Sequence, residues 1–66
     1  MDDIDVLRAK LAILEQQHRD LDDAIAALEE KAIRDELQIK RLKKQKLHLR
    51  DQIYYILDQI NPDFIA

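Results

Sequence analysis

The chain of 66 residues contains no glycine, cysteine, tryptophan, serine or threonine, and its one proline is residue 62. Each absence removes a class of structure or chemistry. Glycine and proline punctuate loops, so a chain lacking both through Asn61 has room for little besides helix. Without cysteine there is no disulfide and no thiolate metal site; this suits a reducing compartment, and a cytoplasmic location is expected. Without Ser, Thr or Cys, and without a glycine-rich phosphate loop, catalysis through a serine, threonine or cysteine nucleophile and phosphate cradling lack their material. No apolar run approaches the roughly 20 residues that cross a bilayer. The start, Met1-Asp2-Asp3-Ile4-Asp5-Val6-Leu7-Arg8, is acidic where a secretory signal is basic, so no targeting segment is expected.

What is present is periodic. With Ile4 taken as heptad position a, the a sites are Ile4, Leu11, His18, Ile25, Ala32, Ile39, Lys46, Ile53 and Ile60. The d sites are Leu7, Leu14, Leu21, Leu28, Asp35, Leu42, Leu49, Ile56 and Asp63. Thirteen of these eighteen sites are Ile or Leu, in one unbroken phase, which is the pattern of a helix laid along another helix. Strong helix formers supply most of the rest, and a charged fraction of 38% with this period is the composition of a coiled coil.

The seam lapses once. Between Leu28 and Ile39 its occupants are Ala32 and Asp35. Asp35 with Gln38 three residues on resembles a capping box just before the apolar period resumes. The chain is therefore read as a single all-α domain over 1–66: helix 3–30, turn 31–35, helix 36–60 and tail 61–66. Asn61-Pro62 closes the second helix, because the residue before a proline is pushed out of helical geometry.

Charge supports folding back. Residues 1–36 carry eleven acids and five bases, whereas 37–66 carry six bases and three acids. Opposite halves favour pairing of one with the other. A hairpin closing at 32–35 sets Leu28 against Ile39, Ile25 against Leu42, Leu14 against Ile53, Leu11 against Ile56, and Leu7 against Ile60. It also sets Glu15 against Arg50 and Asp22 against Lys43, while Glu29 meets Glu36 as a like pair. An uninterrupted long helix in a domain-swapped antiparallel dimer makes the same contacts, and the lack of a turn glycine argues for it. A parallel dimer would stack Asp35 on Asp35 and Lys46 on Lys46. The antiparallel, coiled-coil-like hairpin ranks first, the swapped dimer second, the parallel dimer last.

Two helices bury little against the entropy of ordering the chain. Further apolar residues lie off the seam: Val6, Ile13, Leu47, Tyr54, Tyr55 and Leu57. Hairpins are therefore expected to associate, as a dimer forming a four-helix bundle or as a tetramer. The residues expected to carry self-association are Leu7, Leu11, Leu14, Leu21, Ile25 and Leu28 of the first helix. From the second they are Ile39, Leu42, Leu49, Ile53, Ile56 and Ile60. Tyr54, Tyr55 and Leu57, with Phe64 and Ile65 of the tail, form the candidate surface for an unidentified protein partner.

Three polar features stand beside this apolar pattern. The stretch Lys40-Arg41-Leu42-Lys43-Lys44-Gln45-Lys46-Leu47-His48-Leu49-Arg50 offers a basic footprint for nucleic acid. The acidic total, the placing of Lys43, Lys46 and Arg50 at the seam or its edge, and the lack of stacking aromatics make this the weaker alternative. Lys46 falls at an a site opposite Leu21, near Asp20 and Asp22, where a polar seam residue specifies pairing. His18, opposite Leu49, forms Glu15-x-x-His18, but the facing segment offers Lys46 and Arg50 rather than carboxylates, so no metal or cofactor is expected. A membrane-surface helix is disfavoured by the acidic total and by charges scattered around the first helix.

The run Asp35-Glu36-Leu37-Gln38-Ile39-Lys40-Arg41-Leu42-Lys43-Lys44-Gln45-Lys46-Leu47-His48-Leu49-Arg50-Asp51-Gln52-Ile53 resembles the YdcH-like family of short bacterial proteins, which share an LKK-x-K-L-x-L-K-D-x-I core; Arg50 stands where Lys is commoner. The closing Pro62-Asp63-Phe64-Ile65-Ala66 is similar to tails in that family. In the first half the likeness rests on Glu15 to Leu28, with His18-Arg19-Asp20-Leu21-Asp22. The resemblance implies a small helical hairpin of undefined biochemical role and brings no catalytic or ligand-binding residue with it.

Overall fold

A computed structural model of the chain describes residues 2–61. It contains two helices, α1 (Asp3–Glu29) and α2 (Glu36–Ile60), packed side by side. The chain folds back on itself as an antiparallel hairpin; the uninterrupted helix of the swapped alternative is not adopted. Pro62, Asp63, Phe64 and Ile65, on which the expected stop and part of the partner surface fall, lie outside the described residues.

Local chemistry sets the ends of α1. Asp2 is the N-cap: its Oδ1 accepts from the Ile4 N–H at 3.5 Å. Asp3 and Asp5 in the first turn face the positive end of the helix dipole. At the other end no basic residue sits in the last turn, and Glu29 is followed by a second acid, Glu30. Negative charge at the negative pole weakens propagation, and the helix stops there. The Glu30 N–H still donates to the Ala26 carbonyl at 3.1 Å, and the Lys31 N–H to that of Leu28 at 3.4 Å.

The reversal needs no glycine. Among the described residues none has positive φ, so the turn through residues 30–35 uses conformations open to any residue. Spreading the reversal over several residues replaces the tight turn that would demand glycine. Both weak seam sites, Ala32 and Asp35, fall in this segment. Asp35 is extended (φ −84°, ψ 90°), and its Oδ1 accepts from the Gln38 N–H at 3.0 Å, starting α2 as its N-cap. The α2 helix ends at Asn61, which precedes Pro62 and has left helical geometry (φ −142°, ψ 86°).

Packing follows the heptad closely. Every a or d site from Leu7 to Leu28 and from Ile39 to Ile60 is buried or half-buried. Ile25, Ile39 and Ile56 are the buried ones. Off the seam, among the described residues, only Asp22 and Leu57 reach half-burial, and both are e sites. The shape is elongated: the Cα radius of gyration is 14.9 Å, where a compact chain of this length has about 11 Å. No described helix is long and apolar enough to cross a membrane.

Candidate functional site

The hairpin topology makes the two long sides of the seam unlike. In an antiparallel pair the e sites of one helix meet those of the other along one edge, and the g sites meet along the opposite edge. Within the helices the e sites are Arg8, Glu15, Asp22, Glu29, Glu36, Lys43, Arg50 and Leu57, all but the last charged. The g sites are Asp3, Lys10, Gln17, Ala24, Gln38, Gln45, Gln52 and Gln59, of which only Asp3 and Lys10, near the open end, are charged.

The e edge is tied by ion pairs. The ammonium of Lys46, a seam residue, reaches Asp22 of α1. Lys43 Nζ lies 3.7 Å from Glu29 Oε2, and Arg34 of the turn stands 3.5 Å from that same oxygen and 3.1 Å from Glu36 Oε1. Arg34 thus separates Glu29 from Glu36, the like pair of the register. His18 Nδ1 lies 3.5 Å from Asp22 Oδ2 one helical turn on. These contacts hold the Asp22 carboxyl below its ordinary value of 3.8: the Lys46 hydrogen bond contributes most, partial desolvation opposes it, and the charges of Lys46 and His18 add to it.

Partners on this edge differ from those the register alone suggests. Lys43 reaches Glu29 rather than Asp22, and Arg50 lies 3.5 Å from its neighbour Asp51 rather than on Glu15. Long flexible side chains span more than one heptad level, so the nearest backbone position does not choose the partner. Lys46 is found with Asp22, one of the two carboxylates flanking its level.

The g edge is open. Along it the d-layer residues Leu7, Leu14 and Ile56 form the floor of a groove walled by Lys10, Ile13 and Gln17 on one side and Asp51, Gln52, Tyr55 and Gln59 on the other. The groove continues toward the turn past Leu21 and Leu49, between Gln17 and Asp20 of α1 and Gln45 and His48 of α2. Ile13 is 59% exposed and Tyr55 67% exposed.

The twelve seam residues singled out for self-association face the hairpin's own interhelix seam, three buried and nine half-buried. Of the candidate partner surface, Tyr55 lines the groove while Tyr54 does not, because successive helical residues point about 100° apart. Leu57 is half-buried at the e edge. The glutamine-edged groove does not show in residues taken one at a time. Its signal was Gln at g in Gln17, Gln38, Gln45, Gln52 and Gln59, against charge at e.

Within the basic stretch, Lys43 and Lys46 are engaged by Glu29 and Asp22. Lys40, Arg41 and Lys44 are exposed and make no ion pair among the described residues. No cluster of three His, Cys, Asp or Glu suited to a metal ion occurs among the described residues.

Fold and surface together define a small two-helix coiled-coil hairpin. Residues 11–57 match the family described as protein of unknown function (DUF465), and the chain belongs to that family, the YdcH-like family. None of the curated proteins and none of the solved structures compared with the chain matches it.

Proposed function

We propose that the chain is a non-enzymatic coiled-coil module that works by association, first with copies of itself and then with a protein partner. The single observation behind this reading is the mismatch between its seam and its surface. The seam is already closed by the chain's own two helices, yet Ile13, Leu47, Tyr54 and Tyr55 stay half or more exposed on the same molecule. A chain this small buries a low fraction of its surface and gains most from covering such side chains. Tyr54, Tyr55 and Leu57, with Phe64 and Ile65, are the surface proposed for a further protein. A cysteine-free chain of this kind fits a cytoplasmic setting.

Light scattering and sedimentation on the purified chain test the reading. The expected outcome is a discrete dimer or tetramer at micromolar concentration. A 7.8 kDa particle that stays monomeric as concentration rises overturns it.

A second reading is favoured by one observation: Lys40, Arg41 and Lys44 are cations without carboxylate partners among the described residues, on an outward face of α2. Binding to DNA or RNA would then fall steeply with salt, about one counterion for each phosphate contact. Lack of retention on either nucleic acid at low salt dismisses it.

A further inference from the structure

We propose that the glutamine-edged groove is covered by a second copy of this chain, related by a two-fold axis running along the hairpin. The proposal rests on the self-association reading and adds its face and its symmetry. Three features argue for a second copy as the occupant.

The first is the charge of the groove edge. Gln17, Gln52 and Gln59 along the walls are neutral, and the two charged residues there, Lys10 on α1 and Asp51 on α2, are of opposite sign, so an α1-on-α2 contact between identical surfaces sets neither against its own kind. On the e edge seven of eight sites are charged, and covering that face would take those charges out of water. Four of them, Asp22, Glu29, Glu36 and Lys43, are also already engaged within the chain.

The second feature is the charge of whole helices, which chooses between the two face-to-face arrangements. The α1 helix carries seven acids and three bases, and α2 carries six bases and three acids. A two-fold along the helices places α1 of one copy on α2 of the other. A two-fold across the helices places α1 on α1 and α2 on α2, setting like net charges side by side. The lengthwise axis is the complementary one.

The third is level. Ile13 and Tyr55 wall one groove at the same height, and Asp20 and His48 wall its continuation. A lengthwise two-fold keeps height and exchanges walls. Ile13 of one copy then meets Tyr55 of the other twice over, so Tyr55 faces the second copy and Tyr54 and Leu57 are left for a further protein, and Asp20 meets His48. The floor of Leu7, Leu14 and Ile56 closes against its own image, giving an isologous contact with an aliphatic centre and an amide rim.

Two experiments on the full chain test this. In sedimentation, Ile13→Glu and Tyr55→Glu are each expected to weaken association at least about thirtyfold, the loss typical of a residue central to an interface. Leu47→Glu, on the other side of α2, should leave association unchanged. Far-ultraviolet circular dichroism at the same concentration separates loss of association from loss of fold. A wild-type chain that never leaves the monomer overturns the self-association reading itself. A wild-type oligomer that persists in Ile13→Glu and Tyr55→Glu but is lost in Leu47→Glu overturns only the choice of face.

The axis is tested by disulfide trapping, which is clean because the chain has no cysteine of its own. Ile13→Cys and Tyr55→Cys chains are mixed and oxidised. The lengthwise axis predicts mainly the mixed 13–55 product. A majority of 13–13 and 55–55 products overturns it.

Discussion

The Lys46 ammonium leaves the hydrophobic seam and binds the Asp22 carboxylate on the facing helix. A lysine at an a site with neighbours such as Ile25 and Leu49 does not sit there for stability alone. Its stem packs among the seam side chains while its charge finds the e edge, with side chains 37% and 44% exposed for Lys46 and Asp22. Such a contact fixes register, because sliding the helices by one heptad carries Lys46 away from Asp22.

Replacing Lys46 by Leu therefore separates stability from specificity. An aliphatic seam residue avoids desolvating an ammonium, so Lys46→Leu is expected to raise the thermal midpoint. It also removes the polar seam residue that discriminates among pairings, so its sedimentation profile should broaden into several species. A Lys46→Leu chain with a lower midpoint and one sharp species would contradict this role.

The same contact predicts behaviour in acid. The folded-state value of Asp22 lies below its ordinary one, so the ionised carboxylate stabilises the hairpin wherever the unfolded chain is also ionised. That contribution is fully present above about pH 4 and is lost as pH falls further, through the lowered folded value. The groups around it are Lys46 and His18, with Lys43 and Arg50 along the same edge. Asp22→Asn should melt lower than wild type near pH 7 and converge with it in strong acid, followed by circular dichroism. A constant gap between the two at all pH values would mean that the charge is not what matters.

How much of this was legible in the sequence depends on how rigidly each feature is tied to the backbone. The seam was legible residue by residue because helical period fixes which Cβ atoms face the partner: every site from Leu7 to Leu28 and from Ile39 to Ile60 turns inward. The reversal was legible from Ala32 and Asp35, where the apolar period lapses, and from Asp35 three residues before Gln38. The ion partners were not. Lys43 to Glu29 and Arg34 between Glu29 and Glu36 depend on long side chains and on the path of the turn, which periodicity does not encode. The groove was half legible: Ile13 and Tyr55 stood out as apolar residues off the seam, but their meeting on one wall pair required the antiparallel topology.

The turn makes an unusual prediction about glycine. Since none of the described residues has positive φ, glycine at Ile33 relieves no strain and only adds freedom to the unfolded chain. Ile33→Gly is expected to destabilise by roughly 0.5–1 kcal/mol, whereas Ile33→Ser at this 90% exposed site should stay within about 0.5 kcal/mol of wild type. Asp35→Ala should cost about 1 kcal/mol by freeing the Gln38 N–H from its cap. Urea titration ranks the three; a stabilising Ile33→Gly would mean that the reversal is strained after all.

Truncation along the seam distinguishes a tight end from a loose one. Ile39 is the least exposed side chain of the core at 3%, close to the N-cap of α2, with the Arg34 strap across the turn. Ile4, the first seam residue, is 40% exposed at the open end. A methylene is felt in proportion to the contacts it loses, so Ile39→Ala is expected to cost roughly 2–4 kcal/mol and Ile4→Ala less than about 1 kcal/mol. The open end is also where Ile13 and Tyr55 wall the groove, so association should protect it more than the turn end. Amide exchange at low and high protein concentration measures that directly. Protection of residues near Leu7 and Ile56 should rise with concentration, while that near Ile25 and Ile39 changes little. Uniform protection at every concentration would remove the link between the groove and the loose end.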